Sequence, residues 1–176
     1  MATEFTLPAL KNLGELSATK PTIVIDTREQ EPLVFSRLES VCGTLTTGDY
    51  SVIGLQELFA VERKSISDLV GCCMGENRER FERELHRLRG YRFKRLLIVG
   101  SRGEIEMGRY VSRISPKSVL GSLSAWECRY DCPIVYAATP EEAAREVERW
   151  AWYFAREVIE NVNDIWRAAS NLQQSA

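Results

Sequence analysis

Gly48-Asp49-Tyr50-Ser51-Val52 and Val61-Glu62-Arg63-Lys64-Ser65-Ile66-Ser67-Asp68 are the two stretches on which the reading of this chain turns. The first places an acid, Asp49, directly after a turn glycine. The second carries Glu62 and Lys64 two residues apart, on a run that reads as a strand because Leu58-Phe59-Ala60-Val61 leads into it. Alternate side chains of a strand share a face, so Glu62 and Lys64 point together and Arg63 points away. The residues between Tyr50 and Val61 suffice for a hairpin that returns Asp49 to the side of Glu62. Two carboxylates and a lysine on one surface can hold a hard divalent cation beside an oriented water, an arrangement suited to phosphodiester hydrolysis. Glu-x-Lys alone would be an ordinary solvated ion pair, and Gly-Asp alone an ordinary turn. Their combination, behind an apolar strand, favours a site.

The same residues resemble the signature of the XPF/Hef nuclease family, a branch of the restriction-endonuclease-like superfamily. Gly48-Asp49, a spacer, Glu62-Arg63-Lys64-Ser65 and Asp68 follow the core motif, and Val24-Ile25-Asp26-Thr27-Arg28-Glu29 resembles the family's opening strand. Phe81 to Glu84, Leu96-Leu97-Ile98-Val99 and Ser118-Val119-Leu120-Gly121 continue the likeness, which spans about Pro21 to Ala151. It implies a restriction-endonuclease-like α/β core, with a central mixed sheet flanked by helices. It also implies metal-dependent cleavage of DNA, commonly branched, flapped or forked, in repair, recombination or replication. The catalytic residues expected are Asp26, Asp49, Glu62, Arg63 and Lys64. Asp26, Asp49 and Glu62 are the expected ligands of Mg²⁺ or Mn²⁺. Asp26 and Glu29 complete the carboxylate cluster or hold a second ion, Arg63 contacts the phosphate or pairs with Asp68, and Glu29 and Asp68 support the ligands from behind. The chain shows neither the Gly-rich hairpin repeats nor the helicase segment found in other members. The alternative is a catalytically inactive DNA-binding or scaffold module of the same fold. RNA or nucleotide hydrolysis is a further class, and the lack of a Gly-rich phosphate loop counts against the latter.

Composition bounds the remainder. The chain has 176 residues and a formal charge of −2, enough for one domain with a sizeable core. It carries no global basic field, so contact with DNA must be local. The densest basic stretch runs from Arg78 to Arg95, where Arg83, Arg87 and Arg89 are candidate DNA contacts together with Arg28. The competing reading is a solvated helix laced by Glu79–Arg83 and Glu84–Arg80 pairs. Five cysteines without a Cys-x-x-Cys, and one histidine, His86, argue against zinc. No stretch reads as a membrane span or signal peptide. The expected setting is cytoplasmic with reduced thiols, the protein being nucleoid-associated or phage-encoded.

Along the chain, residues 1–20 read as an N-terminal arm, 21–151 as the nuclease-like domain and 152–176 as a helical extension. Strands are expected at Thr22 to Ile25, Cys42 to Thr47, Ser51 to Ile53, Glu57 to Arg63, Arg95 to Val99 and Pro133 to Ala137. Ser65 or Ser67 should cap a short helix. Further helices should run from Asn77 to Arg89, from Ser115-Pro116, and from the Thr139–Glu142 capping box to near the end. On the last, Ala143, Val147, Ala151, Phe154, Val158, Val162, Ile165 and Ala169 form one apolar stripe. Its later half is a candidate homodimer surface, the alternative being a covering helix on its own domain.

Overall fold

In the computed structural model, residues 20–174 are described. The expected N-terminal arm therefore lies outside the described residues, apart from Lys20. Six strands form one mixed sheet: β1 (Ile23–Asp26), β2 (Ser40–Gly43), β3 (Tyr50–Val52), β4 (Phe59–Ser65), β5 (Phe93–Val99) and β6 (Ile134–Ala137), in the order β2-β1-β3-β4-β5-β6. β3 runs antiparallel to both β1 and β4, while β1–β2, β4–β5 and β5–β6 are parallel.

Helices cover both faces, as the alternation of elements predicts. One face carries α1 (Ile66–Gly71), α2 (Gly75–Leu88), α3 (Arg102–Glu106) and α4 (Pro116–Tyr130). Ala60, Leu96 and Ile98 of the sheet meet Leu69, Phe81, Leu85, Ile105, Val119 and Trp126 there. The other face carries α5 (Pro140–Gln174), with Val61 and Leu97 against Ala143, Val147 and Ala151. Strand parity thus divides β4 between two cores. Under α5, Phe59 stacks on Phe93 at 4.5 Å between ring centroids, and Phe154 closes on both. A ring fully buried, as Phe59 is, contributes about 1.5–3 kcal/mol, and the partly buried Phe93 less.

Several boundaries differ from expectation. β2 ends at Gly43, because the chain must then leave the sheet to bring Leu45 N–H to the Asp26 carboxylate, 2.7 Å away. β4 extends through Ser65, sustained by its parallel pairing with β5. α3 carries too short an apolar pattern to be legible; Ser101 and Glu104 cap each other at its start. Ser65 caps α1 and Ser115 caps α4, as the sequence indicates. On α2 the i,i+4 ion pair is Arg78–Glu82 (3.0 Å); the expected Glu79–Arg83 and Glu84–Arg80 pairs do not form among the described residues. α5 is one continuous helix through residue 151. Its stripe is buried at Ala143, Val147, Ala151 and Phe154, partly covered at Val158 and Val162, and exposed at Ile165 and Ala169.

Candidate active site

Asp49 enters the site because Gly48 lets the backbone pass close to β4. Gly48 has φ +83°, and a Cβ there would lie 3.1 Å from the Val61 carbonyl oxygen. Asp49 N–H donates to Val61 O (2.8 Å), and Asp26 N–H donates to Asp49 O (2.8 Å). Asp49 is thereby held between β1 and β4 at the end where β4 presents Glu62. The predicted hairpin thus exists, and it sets Asp49 beside Glu62.

Glu62 is buried at 4% exposure, and Lys64 Nζ bonds its Oε1. Lys64 also lies over the Phe81 ring of α2, 5.4 Å from its centroid. Burial, then the Asp49 charge, push the Glu62 carboxyl well above the usual carboxylate range. Burial does the same to Asp49, against the pull of Lys64. Burial opposes the charged form of Lys64 as well, but the carboxylates of Glu62 and Asp49 outweigh it and its pKa is raised. Lys64 is therefore an ammonium at neutral pH.

Arg63 points to the other face, as parity requires. Its backbone N–H donates to Asp49 Oδ2 (2.7 Å), while Nε and Nη2 each reach Glu29 at 3.1 Å. The expected Arg63–Asp68 pair does not form: Asp68 accepts instead from Ser65 Oγ (2.7 Å) at the start of α1, where the cap holds it. The Tyr50 hydroxyl accepts from Leu33 N–H at 3.0 Å and donates to Glu29 at 3.5 Å. Burial works against the ionised form of Glu29, yet Arg63 and the Glu31 N–H hold its pKa below the ordinary value.

Asp26 is buried, but its oxygens turn elsewhere. Oδ1 accepts from Arg28 N–H and Nε (2.9 and 2.6 Å), and Oδ2 from Arg28 Nη2 (3.1 Å) and Leu45 N–H (2.7 Å). Despite burial, these bonds keep its pKa low. The expected three-carboxylate cluster is therefore not assembled: among the described residues no group of three or more His, Cys, Asp or Glu side chains is placed to hold an ion. Asp49 and Glu62 alone still fit a small hard cation, since Mg²⁺ commonly takes one or two carboxylates and completes its shell with water and phosphate. Their pKa values are raised chiefly by burial, so the pair is costly to ionise without a cation beside it.

Above these groups opens a cleft of about 630 Å³, lined by Arg28, Glu29, Asp49, Arg63, Lys64 and Asp68, and by Asn77 and Arg80 from α2; Arg63 thus borders it despite its opposite parity. From sequence neither Asn77 nor Arg80 is assigned to the site, Arg80 reading only as a surface cation that could pair with Glu84. Nor is Glu84, whose charge acts on both Glu62 and Lys64. Their signal was the spacing 77, 80, 84, which puts the three on one helix face. Arg83, Arg87 and Arg89 are exposed and do not line this cleft, and Arg87 Nε donates to Thr47 Oγ1 (3.1 Å). His86 is exposed, with its ring edge-on to Tyr130.

A mixed sheet covered on both faces, with two acids and a lysine where β3 and β4 meet, defines a nuclease-type domain of the restriction-endonuclease-like class. The family model described as ERCC4 domain matches residues 25–149, and the chain belongs to that family, the XPF/Hef type of nuclease domain. In fold it is similar to XPF from Aeropyrum pernix, with a TM-score of 0.60 and 23% identity over 74% of this chain and 60% of that one. A second structure, XPF from Aeropyrum pernix in complex with DNA, gives a TM-score of 0.61 and 20% identity over 78% of this chain and 66% of that one. The chain thus spans somewhat under two thirds of the length of these structures. Comparison with curated proteins gives no match.

Proposed function

We propose that this protein is a Mg²⁺- or Mn²⁺-dependent endodeoxyribonuclease that selects branched, flapped or forked DNA. The observation that carries this reading is the meeting of Asp49, which lines an open cleft, with the buried Glu62, to which the Lys64 ammonium of the cleft wall is bonded. Membership of the ERCC4 domain family and the likeness to an XPF structure in complex with DNA support DNA as the substrate.

Asp49 and Glu62 would hold the cation, which supplies Lewis acidity toward the scissile phosphate. Lys64 cannot serve as a proton acceptor while charged; it orients the attacking water and stabilises charge that builds on the phosphate oxygens. Arg63 fixes Asp49 through its backbone N–H and anchors the strand through Glu29. Arg28 clamps Asp26 and thereby the loop that carries Leu45, while its exposed edge faces the cleft. Arg80 is placed to meet a phosphate, and Arg83, Arg87 and Arg89 extend that basic track along α2. A homodimer through the later half of α5 completes the reading.

The test is a panel of labelled flap, fork, nicked, four-way and linear DNAs with Mg²⁺, Mn²⁺ or EDTA. Cutting of branched DNA that requires the metal is expected. A chain that binds these DNAs yet never cuts them with any divalent ion is instead a non-catalytic module of the same fold.

A further inference from the structure

A second basic surface lies outside the cleft and outside α2. From Met107 to Trp126 the chain has no acidic residue, although acids outnumber lysines and arginines overall, 25 to 23. Within that stretch Arg109, Val111, Arg113, Ser115 and Lys117 are exposed, while the residues between them are at most partly so. Tyr110 and Ile114 pack on the core beneath. The Tyr110 hydroxyl donates to Ile114 O (3.0 Å), and Ile114 N–H donates to Ser112 Oγ (3.3 Å). Ser115 then caps α4. The segment is thus pinned at its inward residues and presents its cations outward in a row.

Those cations form no close ion pair among the described residues, although the charge of Arg109 acts on Glu104 of α3 at longer range. Arg102 pairs with Glu106 at 2.9 Å, but among the described residues no ion pair forms to Arg109, Arg113 or Lys117. An exposed loop whose arginines merely keep the protein soluble needs neither inward anchors nor so long a stretch without acids. The location adds a reason. β5 lies parallel to β4 with Val99 beside Ser65, and at Gly100 the chain turns tightly against Ile66 of α1. The row therefore follows α3 from the end of the sheet at which β4 delivers Lys64, and Ser67, Asp68 and Gly71 of α1, the helix that meets Gly100, line the cleft at that end. A helix is only about 10 Å across, and duplex DNA carries a charge every ~1.7 Å of its axis. A duplex arm leaving the cleft at that end of the sheet would run toward the row.

We infer that the Arg109–Lys117 segment is a second DNA-contact surface, in which Arg109, Arg113 and Lys117 hold backbone phosphates of the duplex beside the cut site. Val111, fully exposed between the two arginines, faces the groove between those phosphates. The inference rests on the DNA reading above and extends it to a surface that contributes affinity and arm placement without touching the reacting atoms.

The experiment uses the full chain and a fluorescein-labelled forked duplex in EDTA, so that binding is measured without cutting. Anisotropy titrations from 50 to 300 mM KCl give the slope of log affinity against log salt. Arg109→Gln/Arg113→Gln/Lys117→Gln should reduce that slope by about 2–3. A control, Arg129→Gln/Arg149→Gln/Arg156→Gln, removes the same charge elsewhere and should leave the slope near wild type. Thermal melts establish that both variants fold. An unchanged slope in the first variant, or an equal fall in the control, overturns the surface while leaving the nuclease reading intact. A wild-type chain that neither binds nor cuts the fork overturns both.

Discussion

Arg63 grips Glu29 with two prongs, Nε and Nη2 each at 3.1 Å, while its own backbone N–H holds Asp49. Both side chains are largely shielded, at 11% and 6% exposure, so neither charge can be left alone cheaply. Glu29→Gln should destabilise the protein by about 3 kcal/mol. It should also slow cutting, because Asp49 loses its brace. Arg63→Lys keeps the charge but not the planar fork, and should fall between wild type and Glu29→Gln. Chemical denaturation and single-turnover cutting of the three proteins check this. Equal stability of all three would show that the pair holds nothing in place.

Asp49→Asn and Glu62→Gln should each lower metal-dependent cutting at least a hundredfold, about 3 kcal/mol or more of barrier. Stability should move the other way. Both carboxyls have folded pKa values raised above their unfolded ones. Their favourable contribution is complete below the ordinary carboxylate pKa of about 4 and is lost as pH rises through the raised values. In EDTA, wild type should therefore be less stable at pH 8 than at pH 5, and Glu62→Gln should show a smaller decline and exceed wild type at pH 8. Added Mn²⁺ should stabilise wild type and not the variant. Urea denaturation at the two pH values measures each of these.

Lys64→Ala should lose about 10²–10³ in the rate of the chemical step, the cost of one donor aimed at developing charge. DNA affinity in EDTA should hold. Single-turnover rates at saturating enzyme separate the two, and a defect confined to affinity would make Lys64 a phosphate anchor.

Arg80 lines the cleft, so Arg80→Gln should reduce the salt slope of DNA binding by about 1. Arg83→Gln/Arg87→Gln/Arg89→Gln should reduce it by up to about 3 if all three follow the strand, and less where Arg87 stays with Thr47. Anisotropy against KCl reads both. No change in the triple variant would leave that face of α2 as solvated surface.

The later half of α5 should hold a homodimer. Its stripe is covered by the domain up to Phe154, is partly covered at Val158 and Val162, and is exposed at Ile165 and Ala169. Light scattering at micromolar concentration on the full chain and on a truncation after Asn161 is the measurement. A monomeric full chain removes the dimer, and an equally dimeric truncation moves the contact elsewhere.

What could be read from sequence alone was what local rules decide. Alternation on β4 put Glu62 with Lys64 and turned Arg63 away, because the side-chain period of a strand is two. Gly48 announced the turn that delivers Asp49, and Ser65, Ser115 and Thr139 announced helix starts through their capping chemistry. The partners of charged groups were not legible in this way. Asp26 looked like a third ligand until Leu45, nineteen residues on, proved to share it with Arg28. Glu148 drew no notice in the sequence. It is buried, and gathers the N–H groups of Ser36, Arg37 and Leu38, more than a hundred residues away, at 2.6–3.1 Å. Asn77 and Arg80 entered the cleft only because α2 packs in one direction across the sheet. A carboxylate's preference for N–H groups or guanidinium is known in advance, but which of them arrives depends on how distant segments close over one another, and that is a property of the packed chain.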